Sequence, residues 1–189
     1  MSEPYDKVYY NGGCGAYKEY EYGPKWKTRA ASLMAAFPDA GTYLDMGCAR
    51  GLLLRGYVEN GVSLGSVFGV DVSEYATSNS DALIRERVGC CSVFDFEPNR
   101  QWGLVTAFDF LEHLPRERLS EAVGILEKVC SKHLHVMLMT ERAEWDTDET
   151  HVSILPLEEW LALFSFEFVA KDRMSKSPHV TVATFRRPE

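Results

Sequence analysis

Tyr43-Leu44-Asp45-Met46-Gly47-Cys48-Ala49-Arg50-Gly51 decides how this chain folds. A short apolar strand carries one acid, turns through a glycine-bearing loop, and runs into the apolar helix that opens at Leu52. Gly47 lets the backbone approach a ligand closely, and Gly51 lets the following helix pack back on the strand. The spacing is not the dinucleotide fingerprint G-x-G-x-x-G. Asp45, two residues ahead of Gly47, repels a pyrophosphate and suits a cationic ligand that lacks phosphate.

Two further stretches extend this reading. Gly69-Val70-Asp71-Val72-Ser73 puts a second carboxylate at the end of the next strand, from which an acid takes the paired hydroxyls of a ribose. Val93-Phe94-Asp95-Phe96 follows at the end of a third strand. There Asp95 is placed to accept from an adenine amino group, with Phe94 or Phe96 on the ring face. Any one of these acids also reads as a helix cap or turn former. Three in order at successive strand ends describe a nucleoside with a cationic head, and S-adenosylmethionine, with its ammonium and sulfonium, is such a ligand.

The surrounding pattern alternates strand and helix. Strands are predicted at Thr42–Met46, Ser66–Val72, Val88–Phe94, Leu104–Phe108 and His133–Met139. Helices are predicted at Leu52–Asn60, Glu74–Glu86 and Pro115–Ser131. Right-handed crossovers of this length make a parallel sheet. A short helix, Leu157–Phe164, then precedes two apolar strands, Glu167–Ala170 and Val180–Phe185, whose hairpin puts an antiparallel strand on one edge. The expected fold is α/β, a Rossmann-like three-layer sandwich. Residues 1–23 read as an irregular arm rich in tyrosine, and Pro24 opens a helix whose apolar residues recur up to Phe37. Residues 1–40 are therefore expected to form a lid, and residues 41–189 the ligand-binding domain.

Composition narrows the partners. The 189 residues suit one domain, and the net charge of -8, with no basic block, argues against a long nucleic acid as partner. Five cysteines without a C-x-x-C argue against a disulfide framework or zinc ribbon and favour a reducing cytoplasm. No apolar run approaches the roughly 20 residues of a membrane helix. The expectation is a cytoplasmic monomer or homodimer.

Residues 41–189 resemble the class I S-adenosylmethionine-dependent methyltransferases. Leu44–Gly51 resembles the family's first motif and Gly69–Ser73 its acidic second-strand motif. Leu104–Pro115, with Leu111-Glu112-His113 inside it, resembles the fourth-strand segment, and His151 with Leu157–Phe164 the segment after the fifth strand. The resemblance implies a mostly parallel seven-stranded sheet whose last strand is antiparallel. It also implies a cofactor site drawn from Asp45, Gly47, Cys48, Gly51, Asp71, Val72, Asp95, Phe96 and Asp109. Ala49 replaces a common middle glycine, and Trp102-Gly103 replaces an aromatic followed by Asp, a change expected to affect entry into the strand.

Methyl transfer needs alignment and, for a hydroxyl, removal of a proton, so no covalent nucleophile is required. Asp109, Glu112 and His113 follow the fourth strand, at the edge where α/β sheets bind ligands. His113 is the candidate general base, with Glu112 and His151 as further catalytic candidates. The structural alternative is that Glu112 and His113 only cap the next helix. Asp109-x-x-Glu112-His113 with His151 also resembles the metal site of small-RNA 2′-O-methyltransferases, although no metal is the favoured reading. Tyr9, Tyr17 and Tyr20 are candidates for an aromatic acceptor pocket, and His135 reads as a core histidine. O-methylation of a small molecule is favoured. Metal-assisted methylation of an RNA end, a non-catalytic S-adenosylmethionine-binding module and a nicotinamide-dependent dehydrogenase are the alternatives, the last disfavoured by Asp45 and by the missing middle glycine.

Overall fold

The computed structural model describes residues 5–13, 20–144, 146–172 and 179–188. Its centre is a seven-stranded sheet built from β1 (Tyr43–Met46), β2 (Val67–Asp71), β3 (Val88–Cys90), β4 (Trp102–Ala107), β5 (Cys130–Met139), β6 (Glu167–Asp172) and β7 (Val180–Arg186). The order across the sheet is β3-β2-β1-β4-β5-β7-β6. β1 pairs in parallel with β2 on one side and β4 on the other, so the order in which strands are added reverses at β1 and opens a crevice at their carboxyl ends.

Alternation along the strands sorts the two faces. Leu44, Met46, Val105 and Ala107 point into the core shared with α4 (Leu119–Val129) and Trp160 of α5 (Leu157–Leu161). Tyr43 and Leu104 point the other way, into the core shared with α1 (Pro24–Ala36) and α2 (Leu52–Glu59). Helices on both faces of the sheet make the three layers. α1 belongs to one of these layers: Ala30 and Leu33 are buried, and the backbone of Trp26 lies close against Gly56 of α2. The segment grouped with the arm in the sequence is thus part of the packed body from Pro24 onward.

Several boundaries differ from the sequence reading. The helix predicted over Glu74–Glu86 stops as α3 (Glu74–Ser78). Asn79, Ser80 and Asp81 follow, and Asp81 Oδ1 accepts from the Leu83 N–H, a local bond that competes with the helical ladder. β3 ends at Cys90 because Ser92 Oγ accepts from the Phe94 N–H and starts a 3₁₀ turn over Val93–Asp95. The helix predicted to reach Ser131 ends at Val129, since Cys130 is already extended and pairs with Trp102.

The closing hairpin also sits differently. β7 is antiparallel to β5 and β6 and lies between them, so the antiparallel strand is interior and β6 forms the edge. Val182, Ala183 and Phe185 of β7 are buried, whereas Phe168 and Val169 of β6 are exposed. The more apolar strand takes the covered position. Gly103 explains the departure at the start of β4: a Cβ there would lie 1.8 Å from the Ala40 carbonyl oxygen, and its N–H donates to Thr42 Oγ1. Only glycine lets the chain entering β1 pass so close.

Candidate active site

A cavity of about 390 Å³ occupies the crevice at the ends of β1, β2 and β4. Asp45 and Gly47 line it from the first loop, Asp71 and Val72 from the second, and Asp109 with His113 from the fourth. Gly47 has φ +75°, and a Cβ on it would come within 2.7 Å of the Phe110 ring, so the two loops touch through this glycine.

Asp45 is 6% exposed and accepts a 2.6 Å hydrogen bond from Thr106 Oγ1, its neighbour in register on β4. Burial pushes its carboxyl up to about 7, against the pull of the Thr106 hydroxyl and the Arg29 guanidinium. Asp71 accepts from the N–H of Ala49 at 2.7 Å and of Ser73 at 2.8 Å, which ties the first loop to the second. Burial raises its carboxyl too, and those N–H groups oppose the shift. Asp71 also lines the cavity, and a carboxylate has more acceptor sites than these two bonds use.

Ala49 and Asp109 both adopt left-handed backbone, at φ 48° and 46°, on the loops after β1 and β4. Non-glycine residues hold that conformation only where their surroundings enforce it, at about 1–3 kcal/mol each. Asp109 faces the cavity yet is ringed by protein, and that desolvation raises its carboxyl while Arg29 and His151 pull it down.

The other residues named from sequence fall outside the lining. Cys48 is 2% exposed, with its Sγ packed against Gly69 beneath the loop. Gly51 opens α2 against Ile84 and Val88. Asp95 ends the 3₁₀ turn and does not line the cavity, and Phe96 stacks on Phe68 with centroids 6.2 Å apart. Cys91, Ser92 and Val93 line the cavity in their place, because β3 ends four residues earlier than its apolar pattern implies.

Sequence reasoning missed Arg29. It projects from α1 into the cavity, its guanidinium 5.2 Å from the Phe108 ring centroid and 5.7 Å from Trp26. A cation three residues after an aromatic on a packed helix was the available signal.

Beyond Asp109 lies the polar cluster. Ligating atoms of Glu112, His113 and His151 come within 4.8 Å of one another, and Asp109 is not part of that group among the described residues. Glu112 is 3% exposed, and its Oε2 has no hydrogen-bond partner among the described residues. Burial and the nearby Asp109 raise its carboxyl. His151 Nδ1 lies 2.9 Å from Asp146 Oδ1, and the two histidine rings are 4.7 Å apart. His113 is pushed down to about 4 by burial and then by His151, while Asp148 and Asp146 pull the other way. His135, as expected, is a core residue, bonded to Thr184 Oγ1.

The arm covers this end. Tyr5 meets His113 edge-on at 5.7 Å, Tyr9 donates to Asp148, and Tyr10 packs between Tyr20 and Tyr75. Tyr17 lies outside the described residues.

A doubly wound sheet with one inserted antiparallel strand, and a carboxylate-lined cavity at its switch point, is the architecture of the class I S-adenosylmethionine-dependent methyltransferases. A profile for the methyltransferase domain matches residues 17–179, so the chain belongs to that family. Among solved structures, the magnesium protoporphyrin IX methyltransferase of Synechocystis PCC 6803 with bound S-adenosylmethionine is 16% identical, with a TM-score of 0.66 over 86% of this chain and 79% of that one. The N-methyltransferase NodS of Bradyrhizobium japonicum WM9, in complex with S-adenosylhomocysteine, is 14% identical, with a TM-score of 0.67 over 87% of each chain. A plantazolicin methyltransferase, in complex with a monoazolic desmethyl analogue and S-adenosylhomocysteine, is 14% identical, with a TM-score of 0.65 over 87% of this chain and 83% of that one. No curated protein matches. Among the described residues no helix is long and apolar enough to cross a membrane.

Proposed function

We propose that this chain methylates the hydroxyl of a small-molecule acceptor, with S-adenosylmethionine as methyl donor and His113 as general base. The observation that carries the reading is His113 facing the same cavity as Asp45, Gly47 and Asp71. The donor set fits the cofactor: two buried carboxylates for an ammonium and a ribose, one guanidinium at Arg29 for a carboxylate, and an apolar wall at Val72 and Val93 for a base. When bound, S-adenosylmethionine supplies an activated methyl group on a sulfonium that departs as a neutral thioether.

The residues of the chain do the rest. Asp45 and Arg29 orient the amino-acid end, and Asp71 holds the ribose. Tyr5 and Tyr9 cover the acceptor and exclude water, with Tyr10 packed behind them. His113 takes the hydroxyl proton at Nε2 as the new O–C bond forms, and Asp148 and Asp146 stabilise the imidazolium. Residues 5–13 act as the lid, while α1 supplies its rigid base.

Asp45 makes cofactor affinity depend on pH. An ammonium binds the carboxylate, not the acid, and this carboxyl titrates at about 7. Affinity for S-adenosylhomocysteine is therefore expected to be full above pH 8 and to fall by up to about tenfold per unit below 7. Calorimetric titration across pH 5–9 checks this. A flat profile counts against Asp45 as the ammonium partner, and Asp45→Asn is expected to bind weakly at every pH.

The convergence of Glu112, His113 and His151 favours one second reading, metal-assisted transfer at the same place. Under the favoured reading, turnover survives EDTA. Loss of activity on chelation, restored by Mg²⁺ or Mn²⁺, moves the cluster to the metal reading.

A further inference from the structure

One hydrogen-bond chain beside the cavity joins His113 to a buried acid through Thr150. His113 Nδ1 lies 2.9 Å from Thr150 Oγ1. Thr150 Oγ1 lies 2.5 Å from Asp148 Oδ1, which also accepts the Thr150 N–H at 2.9 Å. Asp148 Oδ2 accepts from the Tyr9 hydroxyl at 3.0 Å. Asp148 is 4% exposed. We infer that Asp148 and Thr150 are positioning residues that lock His113 in the Nδ1–H tautomer and leave its Nε2 bare toward the acceptor.

A hydroxyl has one hydrogen to give and two lone pairs to receive with. Burial alone would raise the Asp148 carboxyl, but the bonds from Thr150 and Tyr9 outweigh it and hold the group below the usual carboxylate range. An ionised carboxylate only accepts, so the single Thr150 proton goes to Asp148. Thr150 Oγ1 then meets His113 Nδ1 with lone pairs alone, and the bond forms only if Nδ1 carries the hydrogen. A neutral imidazole has one N–H, so Nε2 has none. Among the described residues Nε2 has no hydrogen-bond partner, and the His113 ring lines the cavity.

The opposite arrangement needs a proton on Asp148, which would then compete with the three donors already aimed at it. Tyr5 lies at the same end of the cavity: its phenol, pushed up to about 12 mainly by burial, belongs to a ring that meets the His113 ring edge-on at 5.7 Å. Tyr9 comes from the arm, so the arm supplies the outer link of the chain that sets the tautomer. The order is carboxylate, hydroxyl, imidazole, with the hydroxyl relaying orientation from a buried acid to the base.

This inference depends on His113 acting as the base, and its test separates the two claims. Protein labelled with ¹⁵N-histidine, read by long-range ¹H–¹⁵N correlation in the presence of S-adenosylhomocysteine, reports the His113 tautomer directly. The Nδ1–H form is expected in the wild type. Thr150→Val should shift the population toward Nε2–H and lower kcat at least about tenfold, with about 10⁴ the bound set by a mis-set tautomer in a hydrolase triad. Thr150→Ser should restore both, and KM for the cofactor should stay unchanged in each variant. An Nε2–H signal in the wild type overturns the inference, as does a Thr150→Val variant with unaltered tautomer and kcat. If the tautomer is Nδ1–H but His113→Ala retains full kcat, the lock stands and the base assignment falls.

Discussion

His113→Ala is expected to lower kcat by about 10²–10⁴-fold while S-adenosylhomocysteine binds as tightly as before. That range corresponds to about 3–5 kcal/mol of lost transition-state stabilisation. The split follows from geometry, because His113 is held by Thr150 and meets Tyr5, whereas Asp45 is held by Thr106 and Asp71 by Ala49 and Ser73. pH supplies a second signature. A free imidazole titrates near 6.5, but burial and His151 push His113 down to about 4. The base is active when unprotonated, so kcat at saturating cofactor should hold through pH 6 and fall only as pH approaches about 4. Single-turnover rates with the true acceptor measure both effects. A His113→Ala variant with near-normal kcat would leave proximity alone as the catalytic device and return the cluster to a structural cap.

Gly47→Val is expected to weaken S-adenosylhomocysteine binding by more than about 100-fold, or roughly 3 kcal/mol. Two costs combine. The backbone sits at φ +75°, where a β-branched residue is strongly disfavoured. The first added carbon already falls 2.7 Å from the Phe110 ring, and both residues line the cavity, so two further methyl groups add bulk at its wall. Phe110 follows Asp109, so relief by moving the ring disturbs the fourth-strand loop as well. Gly47→Ala should show a smaller loss in the same direction. Calorimetry, with circular dichroism as a check on folding, makes the measurement. A valine variant that binds normally would show that the ligand does not pass over this loop.

The parts of this molecule that were legible in the sequence are those encoded by local pattern. Tyr43–Gly51 announces a strand, a glycine-bearing turn and a helix, and all three form where read, with Gly47 and Ala49 of the turn lining the cavity. Asp71 at the end of β2 and Glu112-His113 after β4 were legible for the same reason, since strand ends in a parallel sheet share one edge. Asp95 misled because apolar character continues from Val88 through Phe94, whereas the strand is set by a single serine that caps the turn. β7 was legible as a strand but not as an interior one, because neighbour order in a sheet is decided by long-range burial. Arg29, Asp148 and Thr150 stayed hidden: each gains meaning only from residues far along the chain, and none lies in a motif.

The placement of β7 has a consequence for how the molecule is assembled. β6 precedes β7 in the chain but lies outside it in the sheet, so β6 has no partner until β7 has docked on β5. About forty residues separate the end of β5 at Met139 from the start of β7 at Val180. During synthesis the completed parallel half, with its buried Leu134, Val136 and Leu138, waits with one flank open until that stretch has left the ribosome. The sheet is finished from the inside outward, and the seal on the newborn chain is the last strand to be made among those described here.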